Sequence, residues 1–256
     1  MQHFTPHPYQ QAAIDAIVDK PSVALWMEMG LGKTVVTLTA IDTLIYDAAE
    51  IRRVLVVAPK KVAEATWQDE VQKWNHLQHL RISTVLGTEA QRIAALNTPA
   101  DVYIINRENC YWLVGYYGRH WPFDMVVLDE ASSFKNHAAQ RFKALKAVRP
   151  KIAKVVELTG TPAPNNLLDL WAQIYLLDQG ERLGKYVTHY RQAYFWPTEY
   201  SWEAKDGAGD AIRRKISDLV LSFKAADLLE LPEKIVEDVP VVLDAKAAAA
   251  YKTMEK

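Results

Sequence analysis

Met27-Glu28-Met29-Gly30-Leu31-Gly32-Lys33-Thr34 decides how this chain is read. It follows the apolar run Val23-Ala24-Leu25-Trp26 and precedes a helical pattern at Val35, Leu38, Ile41, Leu44 and Ile45. Two closely spaced glycines let the backbone curl so that successive N–H groups point into one concavity. A helix starting there adds the positive end of its dipole, and both features favour phosphate. Lys33 is placed to reach the terminal phosphates of a nucleotide, and Thr34 offers a hydroxyl to the magnesium ion that accompanies a triphosphate. The general pattern has a glycine where this chain has Met27, so the match rests on strand, glycines, lysine and helix together. The plainer alternative is a glycine turn that binds nothing.

Working outward, β-branched runs recur at Val54-Leu55-Val56-Val57-Ala58, Val102-Tyr103-Ile104-Ile105, Met125-Val126-Val127-Leu128 and Val155-Val156-Glu157-Leu158. Helically spaced segments separate them, such as Trp67, Val71 and Trp74. This alternation predicts an α/β fold: a P-loop sheet of parallel strands flanked by crossover helices, with ligands at the carboxyl ends of the strands. The pattern changes after Thr159. Leu167, Leu170, Trp171, Ile174 and Leu177 mark a helix, and the stretch at about 178–230 reads as an α-helical appendage to a lobe spanning residues 1–234. Residues 235–256 begin like a strand at Val239-Pro240-Val241-Val242-Leu243 and become alanine-rich. They are expected to be a linker toward a second lobe absent from the chain; the alternative is a frayed terminal helix.

Composition narrows the classes. Of 256 residues half are apolar and about a quarter charged, with 30 basic against 31 acidic residues and a net charge of −1. Any nucleic-acid surface must therefore be local. The single cysteine, Cys110, excludes a disulfide framework and a thiolate zinc cluster. No apolar run approaches the roughly 20 residues of a spanning helix, and the start lacks signal-peptide character. The expected location is the cytoplasm, or the nucleus if the source has one.

Asp129-Glu130 ends the strand at Met125 to Leu128, where an open α/β sheet places its ligand site. Asp129 suits a magnesium ion and Glu130 the deprotonation of a water attacking the γ-phosphate. Asp69-Glu70, in an amphipathic helix, and Glu237-Asp238, in a polar connection, lack that context and are expected to be surface charges.

With these sites placed, the chain resembles the N-terminal RecA-like lobe of the Swi/Snf-type ATPases of helicase superfamily two. The resemblance is carried, in order, by Pro8-Tyr9-Gln10, Met29 to Thr34, Ala58-Pro59 with Trp67, Glu70 and Trp74, Asp129-Glu130-Ala131-Ser132 with Phe134-Lys135-Asn136, and Leu158-Thr159-Gly160-Thr161-Pro162. It implies a DNA-dependent ATPase that moves on double-stranded DNA, using ATP and Mg2+. Gln10, beside Tyr9, would read adenine; Met29, Gly30, Leu31, Gly32, Lys33 and Thr34 would hold the nucleotide. Thr34 and Asp129 would hold the metal, and Lys33 and Glu130 would carry catalysis. Ser132, Thr159, Gly160 and Thr161 would couple the motifs, and Lys60, Lys61, Asn106 and Arg107 would contact DNA. The partners implied are double-stranded DNA, gripped weakly by one lobe, and a second RecA-like lobe, in cis or trans, that supplies an arginine finger. Three departures stand out: Ser132 for the family's histidine, Met27 for its aspartate, and Ser222-Phe223-Lys224 near its paired arginines. A stand-alone nucleotide- or DNA-binding module without turnover is the alternative.

Other groupings read more plainly. Tyr111, Trp112, Tyr116 and Tyr117 are expected to pack rather than to stack bases. His76 and His79 share a helical face without a third metal ligand, and Arg213-Arg214-Lys215 reads as a solvated face.

Overall fold

The computed structural model describes residues 2–160, 167–228 and 251. Each β-branched run forms a strand: β1 (Ser22–Met27), β2 (Val54–Ala58), β3 (Ile82–Val85), β4 (Val102–Asn106), β5 (Met125–Asp129) and β6 (Lys154–Thr159). A short hairpin pairs β7 (Phe195–Pro197) with β8 (Trp202–Ala204), and β9 (Val220–Phe223) completes the main sheet. That sheet has seven parallel strands in the order β3-β4-β2-β5-β6-β1-β9. The helices are α1 (Pro8–Asp19), α2 (Lys33–Asp42), α3 (Trp67–Lys73), α4 (Glu89–Asn97), α5 (Cys110–Tyr117), α6 (Gln140–Val148), α7 (Leu170–Asp178), α8 (Val187–Tyr194), α9 (Ala208–Ile216) and α10 (Ala225–Leu228).

Central strands are covered on both faces, which is why they read as unbroken apolar runs rather than as alternation. Along β2, Val54, Val56 and Ala58 enter the core under α1, α2 and α3, while Leu55 and Val57 enter the one under α5, α6 and α7. The edge strands β3 and β9 are only partly buried.

Strand order makes the site. β5, β6 and β1 are neighbours, with Asp129 opposite Leu158 and Trp26 opposite Thr159. The three segments that leave their carboxyl ends, Glu28 to Gly32, Asp129-Glu130 and Thr159-Gly160, therefore emerge along one rim. Segments 130 residues apart in sequence meet because parallel strands all point the same way.

The helical reading of 178–230 needs correction. α8 and α9 are helices, but the β7–β8 hairpin interrupts them, and β9 is the outermost strand of the main sheet, with Phe223 opposite Met27. Leu219-Val220-Leu221-Ser222-Phe223 is an apolar run, but its neighbourhood is dominated by amphipathic α9, whose Ala208, Ile212 and Ile216 are buried. What makes it a strand is the open edge of β1, a non-local pairing. Thr161, Pro162, Leu231-Pro232 and the expected linker, apart from Tyr251, lie outside the described residues.

Two charges are buried beside this core. The Arg149 guanidinium donates to the carbonyls of Ile152, Leu176 and Leu177 and to Ser22 Oγ, tying the end of α7 to β1. Glu157, between Ala24 and Leu128, has one oxygen without a partner, and burial pushes its carboxyl well above the usual range. Desolvation disfavours the ionised form there, while the Arg149 guanidinium acts in the opposite direction. Among the described residues no helix is long and apolar enough to cross a membrane.

Candidate active site

The loop between β1 and α2 takes its shape from its glycines. Gly30 and Gly32 both have left-handed backbones, at φ +85° and +82°. At Gly32 a Cβ would also lie 2.7 Å from Gln10 Nε2, so no larger residue fits unless Gln10 moves. Gln10 in turn holds the loop, donating from Nε2 to the Leu31 carbonyl at 3.2 Å and accepting the His7 N–H on Oε1 at 2.9 Å. α2 begins at Lys33, so its first N–H groups and its dipole face the loop.

The Lys33 ammonium donates to the carbonyls of Met27, at 2.8 Å, and Glu28, at 3.3 Å. Burial lowers its pKa, and the nearby Glu130 and Asp129 carboxylates act in the opposite direction. Lys33 thus lies in the field of the acidic pair. Gly160 closes the third side: a Cβ there would sit 3.7 Å from Lys33 Nζ and 3.4 Å from Met29 Cγ.

Asp129 is buried, and its Oδ2 accepts the Trp67 indole N–H at 3.1 Å. Burial raises the Asp129 pKa, opposed by that hydrogen bond and by Lys33. Glu130 adopts a left-handed backbone, φ 53° and ψ 57°. For a residue with a Cβ this costs about 1–2 kcal/mol, and it turns the chain sharply from β5 into the short helical turn Ala131–Phe134. Ser132 is half-buried in that turn, and Thr159 is buried at the end of β6.

A cavity of about 590 Å³ opens beside the loop. Its lining includes Gly30, Gly32, Lys33 and Thr34 of the loop, Gln10 of α1, and Phe4, Glu70, Lys73 and Trp74. Phe4 meets Trp74 edge-on at 5.2 Å, and the extended start of the chain is pinned to α3 through a bridge from Gln2 to Trp74. The sequence reading missed Phe4 and Lys73. Nothing marks Phe4 in sequence, because its place depends on that long-range bridge.

Three expectations change. Tyr9 does not line the cavity; its ring stacks on His7 and tilts against Phe223. Leu31 is fully buried, so only its backbone serves the loop. Glu70 is no plain surface charge: it lines the cavity and accepts the Trp74 indole N–H at 2.6 Å, while Asp69 is exposed as expected. Helical spacing places Trp74 one turn beyond Glu70, which brings the two together.

The residues expected to touch DNA divide. Lys60 and Lys61 are exposed after β2, with Lys60 3.9 Å from Glu64. Asn106 is instead buried, donating to Glu108 and accepting from Asn109, and Arg107 pairs with Glu108 at 3.0 Å. Those two build their own turn. Trp112 stacks on Tyr116 and lies under the Arg92 guanidinium, although Tyr111 remains exposed. His79 bonds Asp42 and His76 bonds Thr39, and no cluster of three metal-ligating side chains occurs among the described residues. Arg213 pairs with Asp210.

The donor set suits magnesium-ATP: a loop whose left-handed turns favour glycine, a lysine, a hydroxyl and a buried carboxylate. Residues 12–256 match the model of the SNF2-related domain. A putative protein, p41, of Acyrthosiphon pisum secondary endosymbiont phage 1 is 39% identical over all of this chain, which covers 58% of that relative. The mouse DNA excision repair protein ERCC-6-like is 29% identical over 77% of the chain, which covers 16% of it. Among solved structures, the Sulfolobus solfataricus SWI2/SNF2 ATPase core in complex with dsDNA superposes with a TM-score of 0.71 at 25% identity, covering 99% of this chain and 54% of that one. The chain thus spans little more than half the length of its phage relative and of the archaeal ATPase core.

Proposed function

Because the chain belongs to the SNF2-related domain family, as the N-terminal RecA-like lobe of a helicase-superfamily-two ATPase, we propose that it binds magnesium-ATP in the cavity beside Gly30 to Thr34 and, completed by a second lobe, couples hydrolysis to movement along double-stranded DNA. The observation that carries this reading is the meeting of Lys33, Asp129, Glu130 and Gly160 at the ends of three adjacent strands.

Loop N–H groups and Lys33 bind the phosphates, Lys33 exchanging the Met27 and Glu28 carbonyls for phosphate oxygens. Phe4 and Trp74, in edge-on contact with each other, also line the cavity and would give an adenine ring an apolar surface to lie against, and the remaining donor and acceptor capacity of the Gln10 amide would read its edge. Thr34 and Asp129 would hold magnesium, which when bound neutralises phosphate charge. Trp67 keeps Asp129 aimed at the rim through its hydrogen bond. Glu130 accepts the proton of the attacking water. Thr159 and Gly160 abut the phosphate end, and with Ser132 relay its state along the rim. Exposed Lys60 and Lys61 meet DNA phosphates.

An arginine finger from a second lobe is worth about 10³–10⁵ in rate. The 256-residue chain is therefore expected to bind ATP and hydrolyse it negligibly, with DNA-stimulated turnover restored in a form extended to the length of its relatives. Measuring ATPase rate with and without duplex DNA on both forms tests this. Several turnovers per second from this chain alone would contradict it.

A further inference from the structure

A second cleft, of about 260 Å³, lies between the start of α6, α7 and the start of α8. Its floor is apolar: Phe142 and Trp171 are buried and Val187 half-buried. The floor is also fixed, since the Trp171 indole N–H donates to the Gly184 carbonyl at 2.9 Å. Lys143, Lys146 and Lys185 stand at the rim with Tyr186, which is 63% exposed, and among the described residues no carboxylate lines the cleft.

None of the three lysines has an ion pair among the described residues. Lys146 lies only against the rings of Tyr175, at 4.3 Å, and Trp171, at 5.8 Å, contacts that attract a cation without neutralising it. His137, also in the lining, meets Trp171 edge-on, and the charges that act on it are Arg191, Lys143 and Lys146, all cationic. Arg191 itself has a buried Nε without a hydrogen-bond partner among the described residues. In a chain of net charge −1 this is a concentrated positive field over an apolar floor.

From this juxtaposition we infer that the cleft between α6, α7 and α8 is a docking site for an acidic peptide segment of a protein partner, which seats one bulky apolar side chain on Phe142, Trp171 and Val187 while flanking carboxylates pair with Lys143, Lys146 and Lys185. Size and chemistry favour this occupant over nucleic acid. The volume suits one large side chain and is far too narrow for a duplex. A nucleobase brings polar edges, and besides the rim lysines only His137, Tyr186 and Thr188 of the described lining carry side-chain groups that could meet them, beside the apolar surface of Phe142, Trp171 and Val187. A partner peptide with a central anchor and a charged rim matches the anatomy of interfaces in general. The inference stands apart from the nucleotide reading, since it uses none of those residues.

The test is fluorescence anisotropy of a fluorescein-labelled synthetic peptide, Glu-Asp-Glu-Phe-Glu-Asp-Glu, titrated with the full chain. Binding that weakens with salt is expected. It should fall about tenfold or more for Lys143→Glu/Lys146→Glu, since each substitution turns a surface attraction into a repulsion. Replacing the peptide's phenylalanine by alanine should also weaken binding, a control that does not depend on how any variant folds. The inference is overturned if the peptide does not bind, if the double variant or the alanine peptide binds as well as the originals, or if a short oligo-dT displaces the peptide and binds more tightly.

Discussion

The cavity beside the glycine loop and the basic cleft are both lined by aromatic side chains and lysines, but they treat charge differently. Beside the first, Lys33 lies in the field of Asp129 and Glu130 and donates to two carbonyls, Lys73 pairs with Glu70, and Asp129 accepts from Trp67. Beside the second, three lysines, a histidine and an arginine share one field, without a carboxylate in the lining among the described residues. A balanced site can exchange partners at little cost, as the proposed reading requires of Lys33 when phosphate replaces a carbonyl. An unbalanced one is stable only because its cations reach water, and it gains most when an anion arrives.

Each side of this contrast can be broken. The largest effect is expected at Glu130. Glu130→Gln keeps shape and leaves Asp129 in place but removes the proton acceptor, so hydrolysis by the extended form should fall by about 10²–10⁴ with nucleotide affinity retained. Steady-state ATPase assays beside nucleotide titrations separate the two, and unchanged turnover would deny Glu130 its role as base.

A smaller effect follows from unbalancing the first site. Trp67→Phe leaves Asp129 Oδ2 buried without its donor, at a cost of about 1–3 kcal/mol. Trp74→Phe removes the same kind of bond from Glu70, whose side chain is 24% exposed and can take water instead, so it should cost less. Urea unfolding of the pair gives the order, and the reverse order would show that the Trp67 bond is incidental.

The smallest effect is a titration in the basic cleft. Burial first, and then Arg191, Lys143 and Lys146, hold His137 below the ordinary histidine value. Nearby cations disfavour the imidazolium, so Lys143→Glu/Lys146→Glu should raise the His137 pKa. Proton NMR of the imidazole across pH measures it directly, and no shift would mean the lysines are screened from it.

How far the sequence spoke depended on the range of the interaction. Gly30, Gly32 and Lys33 are local: their spacing requires a turn, and the turn formed. Buried β2, β4, β5 and β6 were legible because strands covered on both faces leave unbroken apolar runs. The Asp129-Glu130 reading needed only the strand before it. Phe4, by contrast, reaches the cavity through the bridge of Gln2 to Trp74, and β9 is a strand because β1 offers an edge across about 200 residues of sequence. Asn106 looked like a free polar group at a strand end, yet Glu108 and Asn109 claim its amide within one turn. The basic cleft joins α6, α7 and α8, and no single segment carries its pattern.

Calorimetric titration of magnesium-ATP into the chain and into Lys33→Ala tests the central claim most directly. The phosphates should lose a charge-assisted contact worth about 1.5–3 kcal/mol, so the variant should bind at least tenfold more weakly, to the point of no measurable heat. Equal affinity in the two proteins would show that the cavity beside Gly30 to Thr34 is not where the nucleotide binds.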